Sequence, residues 1–95
     1  MKHCILVKYK EGVDQKQKEE LIPRIQALFD QLLGMEGIHK VELFPNVVDR
    51  PNRYDLLIRI EMDEEALSAY DSSEPHRKWK AEYAQYLEKK AIFDY

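Results

Sequence analysis

Apolar residues along this chain follow two rhythms. Short runs of alternating or continuous apolar residues are separated by longer stretches in which they recur every three or four positions. The first run, His3-Cys4-Ile5-Leu6-Val7-Lys8-Tyr9, is rich in β-branched and aromatic residues and stops at Gly12, which predicts a strand. Asp14 follows as a helix N-cap, with Gln17 three residues on as in a capping box. Leu21, Ile22, Ile25, Leu28, Phe29, Leu32 and Leu33 then form one wide helical stripe that Gly34 and Gly37 end. Pro23 lies inside this pattern. It lacks a backbone donor and crowds the carbonyl of Glu19, so a kink or an irregular first turn is expected there.

Ile38 to Phe44 reads as a second strand closed by Pro45, and residues 46–53 as a polar loop. Tyr54 to Met62 alternates as a third strand. Asp63 is expected to cap a short helix carrying Ala66, Leu67 and Tyr70. A break at Ser72 to Pro75 starts a further helix with Trp79, Tyr83, Tyr86 and Leu87, Pro75 suiting its first turn. Lys90 to Tyr95 reads as the last strand.

The order β-α-β-β-α-α-β, with right-handed crossovers, predicts an α+β fold of ferredoxin-like βαββαβ type. Its four-stranded antiparallel sheet carries every helix on one face. Strand alternation then sorts the residues by face. Ile5, Val7, Leu56, Ile58, Ile60 and Ile92 share the helix-covered side. Cys4, Leu6, Leu57, Phe93 and Tyr95 fall on the other, which no local helix can cover. An apolar patch of that size marks an interface. Two such sheets face to face across a two-fold axis close into an eight-stranded dimeric α/β barrel, so the expected partner is a second copy of the chain.

Composition narrows the picture. Ninety-five residues make one domain, 1–95. A net charge of −3, with both signs well mixed, argues against a nucleic-acid binder, which needs a basic face. No apolar run is long enough to span a bilayer, and the first residues lack the apolar core of a secretory signal, so the cytoplasm is the default location. Cys4, the single cysteine, rules out an internal disulfide and reads as a small buried hydrophobe. His3, His39 and His76 lie on three different elements without metal-ligand spacing, so neither a metal nor a cofactor is expected. His39 has no evident partner and is expected at the surface. Asp63-Glu64-Glu65 reads as a helix start favoured by the dipole.

Particular residues go further. Lys2 to Lys10, then Glu65-Ala66-Leu67-Ser68-Ala69-Tyr70, His76 in a Pro-His step, and the closing Ile92-Phe93-Asp94-Tyr95 together resemble the stress-responsive A/B barrel (Dabb) family over the whole chain. The resemblance implies a dimeric α+β barrel. The second half is similar to the olivetolic acid cyclase-type polyketide cyclases, which close a ring by an intramolecular aldol reaction. That similarity implies Tyr70 and His76 as catalytic residues in a cavity between sheet and helices, with His3 as a pocket histidine. The pocket it implies is walled by His3, Ile5, Val7, Ile25, Ile58, Trp79, Leu87, Ile92 and Asp94. The chain also departs from the cyclase pattern. Ser73-Glu74-Pro75-His76 replaces the His-Pro-x-His step, Leu56 stands for a pocket histidine, Lys78 and Lys80 for small glycines, and Lys90 for an apolar pocket residue. A shared substrate is therefore not implied.

The chemistry fits the residue types. Enolate formation needs a base beside a carbonyl and a donor for the developing oxyanion. Imidazole titrates near neutrality and suits the first task, and a phenol protonated at pH 7 suits the second. A solvated His76 and a packed Tyr70 with a satisfied hydroxyl is the plainer reading of the same pair. His3 and Asp94 belong to antiparallel neighbours at one end of the sheet. They are either a structural polar pair or a pair in which the carboxylate sets the tautomer of His3. Arg77-Lys78 and Lys89-Lys90 read as solvated faces, or as a lid attracting an anionic ligand. Three functions remain open. One is an enzyme of cyclase or isomerase type acting on a small hydrophobic carbonyl compound, and another a non-catalytic small-molecule-binding or stress-response protein. The third, a sugar mutarotase or quinone-type monooxygenase, rests on fold alone.

Overall fold

A computed structural model describes all residues from Met1 to Tyr95. Strand β1 spans Lys2–Tyr9, helix α1 Gln15–Asp30, strand β2 Ile38–Pro45, and strand β3 Leu56–Met62. Helices α2 (Leu67–Asp71) and α3 (Glu74–Tyr83) lead to strand β4, Leu87–Asp94. The strands form one antiparallel sheet in the order β2-β3-β1-β4. Each crossover, α1 and then α2 with α3, therefore skips one strand, as expected for the ferredoxin-like arrangement.

Local chemistry sets the helix ends. Asp14 accepts the backbone N–H of Gln17 at 2.9 Å, and the Gln17 side chain accepts the N–H of Asp14 at 3.2 Å, completing the capping box. The helix runs unbroken through Pro23, contrary to the irregular turn expected there. Pro23 and Glu19 both lie on the exposed side, so the carbonyl left without a partner is free to face water, while Leu21 and Ile25 pin the opposite side. After α1 the chain tightens into a 3₁₀ segment, Gln31–Gly34, and turns at Gly37 with φ +83°. A Cβ there would sit 3.0 Å from that of Ala66, so glycine is required both by conformation and by space.

The core is the space between the helices and one sheet face. Ile5, Val7, Leu56, Ile58 and Ile60 from the central strands meet Leu21, Ile25, Phe29 and Leu32 from the first helical segment, with Tyr70 and Trp79 closing the other end. The opposite face carries no helix. Leu6 and Leu57 are half-buried there, and Phe44, Phe93 and Tyr95 are exposed, the last two at 63% and 60%. Phe44 and the Arg59–Glu42 ion pair (2.9 Å) also belong to this face, with Arg59 stacked 5.0 Å over the Phe44 ring. Cys4 lies on the same face but is already 95% covered within the chain, because it sits in a central strand between Arg59 and Phe93. Its thiol pKa is raised by burial.

Three expectations are corrected. The last strand begins at Leu87, not Lys90; Tyr86 lies in a 3₁₀ segment and Leu87 opens the strand opposite Tyr9. Charged residues on an edge strand conceal its alternation. Asp63 precedes the next helical segment without a side-chain cap. Its carboxylate instead bonds the imidazole Nε2 of His39 at 2.9 Å, so His39 has a partner after all. The pairing register of β2 and β3 shifts between Ile38 and Lys40, and the extra residue, His39, is thereby turned toward Asp63.

Candidate functional site

The site forms where the sheet end bearing His3 meets the junction of α2 and α3. Ser73 makes this junction. Its hydroxyl donates to the Tyr70 carbonyl at 2.7 Å and accepts the N–H of His76 at 3.3 Å, so one side chain ties the end of α2 to the start of α3. Pro75 in the first turn of α3 gives up no needed bond. The two helices then present Tyr70 and His76 to each other, with ring centroids 4.7 Å apart. His3 stands edge-on to Tyr70 at 5.2 Å, making a row of three rings, His3–Tyr70–His76.

The hydrogen bonds fix how the imidazoles present themselves. Nδ1 of His76 lies 2.8 Å from the backbone carbonyl of Asp71. A carbonyl can only accept, so Nδ1 carries the proton, and the neutral ring keeps a bare Nε2. On the facing strands His3 and Asp94 are direct partners, with Nδ1 and the carboxylate 2.5 Å apart. Tyr70 is 1% exposed, and its hydroxyl is screened from water without a hydrogen-bond partner. Burial, followed by the nearby Asp71 and Asp94 charges, pushes its pKa upward, so the phenol is a donor with nothing to donate to.

A cleft of about 440 Å³ opens beside these rings. Of the residues expected in its wall, His3, Ile5, Trp79, Ile92 and Asp94 line it together with Tyr70 and His76. Val7, Ile25 and Ile58 do not: each has no exposed surface and is sealed in the core below. Leu87 lines an adjoining depression of about 300 Å³ that shares Trp79, Lys80 and Lys90 with the cleft. Trp79 forms its floor, packed edge-on against Phe29 at 5.2 Å. Ile92 has the parity of the covered face yet is 54% exposed, because β4 is an edge strand that the helices overhang incompletely. Leu67, Asp71, Lys80 and Lys90 also line the cleft. Lys80 was discoverable from its position four residues after His76 on one helix, and Lys90 from its alternation with Ile92 and Asp94.

A larger, open depression of about 620 Å³ lies at the far end of the sheet around Asp55, whose carboxylate is already engaged. Asp55 takes the N–H of Tyr9 at 2.8 Å and the ammonium of Lys18 at 3.1 Å, and Lys8 donates to the Arg53 carbonyl at 2.8 Å. These contacts fasten the loop that precedes β3. No group of three His, Cys, Asp or Glu side chains converges on a common point, and no helix is long and apolar enough to cross a membrane.

A four-stranded antiparallel sheet with helices on one face and a cleft between them places this chain in the ferredoxin-like α+β class. The chain belongs to the stress responsive A/B barrel (Dabb) domain family, which it matches over residues 1–95. No curated protein is matched by the sequence. Among solved structures, it is similar to a dimeric protein of unknown function with a ferredoxin-like fold from Bacteroides fragilis. That pair shares 20% identity at a TM-score of 0.80, covering 99% of this chain and 92% of the other. A dimeric ferredoxin-like protein of unknown function from Thermobifida fusca is 19% identical at a TM-score of 0.79, covering 97% and 85% of the two chains. Hydroxynitrile lyase from Passiflora edulis is 18% identical at a TM-score of 0.71, covering 99% and 89%. At these identities the likeness is one of fold.

Proposed function

We propose that the chain works as a homodimer joined through its uncovered sheet face, and that the cleft at Tyr70 and His76 performs cyclase- or isomerase-type chemistry on a small hydrophobic carbonyl compound. The observation that carries the catalytic reading is the pairing of a fixed base with an unsatisfied donor. The Asp71 carbonyl holds His76 in the tautomer with a bare Nε2, and Tyr70 beside it has a phenolic proton that the protein leaves unbonded. In this reading Nε2 removes a proton next to the substrate carbonyl, and the Tyr70 hydroxyl donates to the oxygen as negative charge develops on it. His3, held by Asp94, orients the far side of the Tyr70 ring. The similarity to olivetolic acid cyclase-type enzymes at Tyr70 and His76 supports the assignment, and the hydroxynitrile lyase among the structural neighbours demonstrates that this fold hosts enzymes.

The dimer is supported by the exposed Phe44, Phe93 and Tyr95 around Leu6 and Leu57, and by the two neighbours described as dimeric. A second reading, a small-molecule-binding protein without chemistry, is favoured by the screening of the Tyr70 hydroxyl from water, since a substrate must displace covering atoms to reach it. Proton exchange separates the two. Hydrophobic ketones and β-diketones incubated with the protein in D2O should lose α-proton NMR signal faster than in buffer, and His76→Ala should abolish the difference. Exchange that persists in His76→Ala removes the base from the scheme, and no accelerated exchange across the panel supports binding alone.

A further inference from the structure

We propose that the cleft selects an anionic carbonyl compound, an oxo-carboxylate, whose carboxylate lies between Lys80 and Lys90 while its carbonyl lies at Tyr70 and His76. This deepens the catalytic reading above and rests on it for the position of the carbonyl.

The case begins with two lysines in the wall of the cleft, Lys80 and Lys90. Lys90 has the parity of the helix-covered face, beside Ile92 and Asp94, and pairs across the sheet with Val7, which has no exposed surface. Because β4 is an edge strand, Lys90 stays exposed on that face and its ammonium is accessible from the cleft. Lys80 projects from α3 four residues after His76, about 6 Å further along the helix and on the same side. Both lysines line the cleft. Neither ammonium forms an ion pair or hydrogen bond within the chain, whereas Lys18, Lys40 and Lys78 each have a carboxylate partner. Both also stand where the cleft meets its neighbouring depression, whose other walls are Trp79, Ala84, Leu87, Glu88 and Lys89.

The acids of the cleft are concentrated elsewhere. Asp94 is held by His3, and Asp71 adjoins Tyr70 and turns its carbonyl to His76. Lys90 and Asp94 are four residues apart on one strand, about 13 Å, so the groove has an acidic, ring-lined end and a cationic end. A compound that places its carbonyl at the rings therefore meets two uncommitted ammonium groups a few bonds further on. A neutral ketone would leave both unused.

The test compares 5-oxodecanoate with its methyl ester, binding to ¹⁵N-labelled protein being followed by NMR titration at low and high salt. The acid is expected to bind about tenfold more tightly than the ester, two partly exposed ion pairs supplying the difference, and salt should shrink it. In the double variant Lys80→Gln/Lys90→Gln the ester should bind as before, which also reports that the variant is folded, and the acid should lose its advantage. His76→Ala should keep the preference for the acid, so failure of the base assignment and failure of the anion site give different results. Equal binding of acid and ester, a preference that survives in the double variant, or no binding of the acid overturns the proposal.

Discussion

Replacing Tyr70 by Phe should make the protein more stable while removing the proton exchange proposed for the cleft. The substitution deletes one oxygen and keeps the ring, so the contacts with His3 at 5.2 Å and His76 at 4.7 Å persist. The oxygen removed is buried and unpartnered. Leaving such a group without a bond costs about 1–3 kcal/mol of desolvation, and removing it should return a part of that, about 1 kcal/mol or more. For a domain of 95 residues each kcal/mol raises Tm by about 4–8 °C. The assay is thermal unfolding followed by circular dichroism, with urea titration to check that m is unchanged, at one fixed protein concentration because a dimer's stability depends on it. Tyr9→Phe is the control: its hydroxyl is likewise buried and unpartnered but lies at the other end of the sheet. It should raise Tm without affecting proton exchange. A Tm for Tyr70→Phe equal to or below that of the parent would refute the reasoning, since it would mean that the hydroxyl has a stabilising partner in solution. Stability gained together with activity lost is the expected signature of a group kept for function.

Ser73→Ala removes the N-cap of α3 and the bond to the Tyr70 carbonyl, so urea unfolding should show a loss of about 1–2 kcal/mol, with proton exchange impaired because the two rings lose their common tie. Leu57→Asp puts a charge in the middle of the uncovered sheet face, and sedimentation should show dimer giving way to folded monomer. Alkaline pH should destabilise the fold. Burial pushes Tyr9 up to about 12 and raises Tyr70 as well, so below pH 10 both folded and unfolded chains keep these protons and the stability is fully present. Above it the unfolded chain loses them first, and stability should fall by about 1.4 kcal/mol per pH unit for each tyrosine until the folded groups titrate. Tyr9→Phe should lessen that slope, as measured by urea midpoints between pH 9 and pH 11.

Much of the candidate site is legible in the sequence, for local reasons. A helix break with Ser73 and Pro75 can be read from residue types, and it is what allows Tyr70 and His76 to meet. Strand parity put His3 and Asp94 on the same face at the same end, and the register makes them direct partners. The tautomer of His76 was not legible, because it depends on the carbonyl of Asp71, the last residue of α2, which reaches it only across the turn between the two helices. Nor was the His39–Asp63 bond, which exists because one extra residue in β2 shifts the pairing register.

By itself the sequence determined the order of the elements, the capping box at Asp14 and the face to which each strand residue points, because periodicity and capping are short-range properties of the chain. It also implied that Leu6, Leu57, Phe93 and Tyr95 would lack a covering helix. Only the tertiary structure decided depth. Val7 and Ile58 share the covered side with Ile5 and Ile92, yet the first two are sealed and the last two line a cleft. The difference lies in how far α2 and α3 reach across the sheet. That reach is set by packing around Trp79 and by the edge position of β4, which no local pattern encodes.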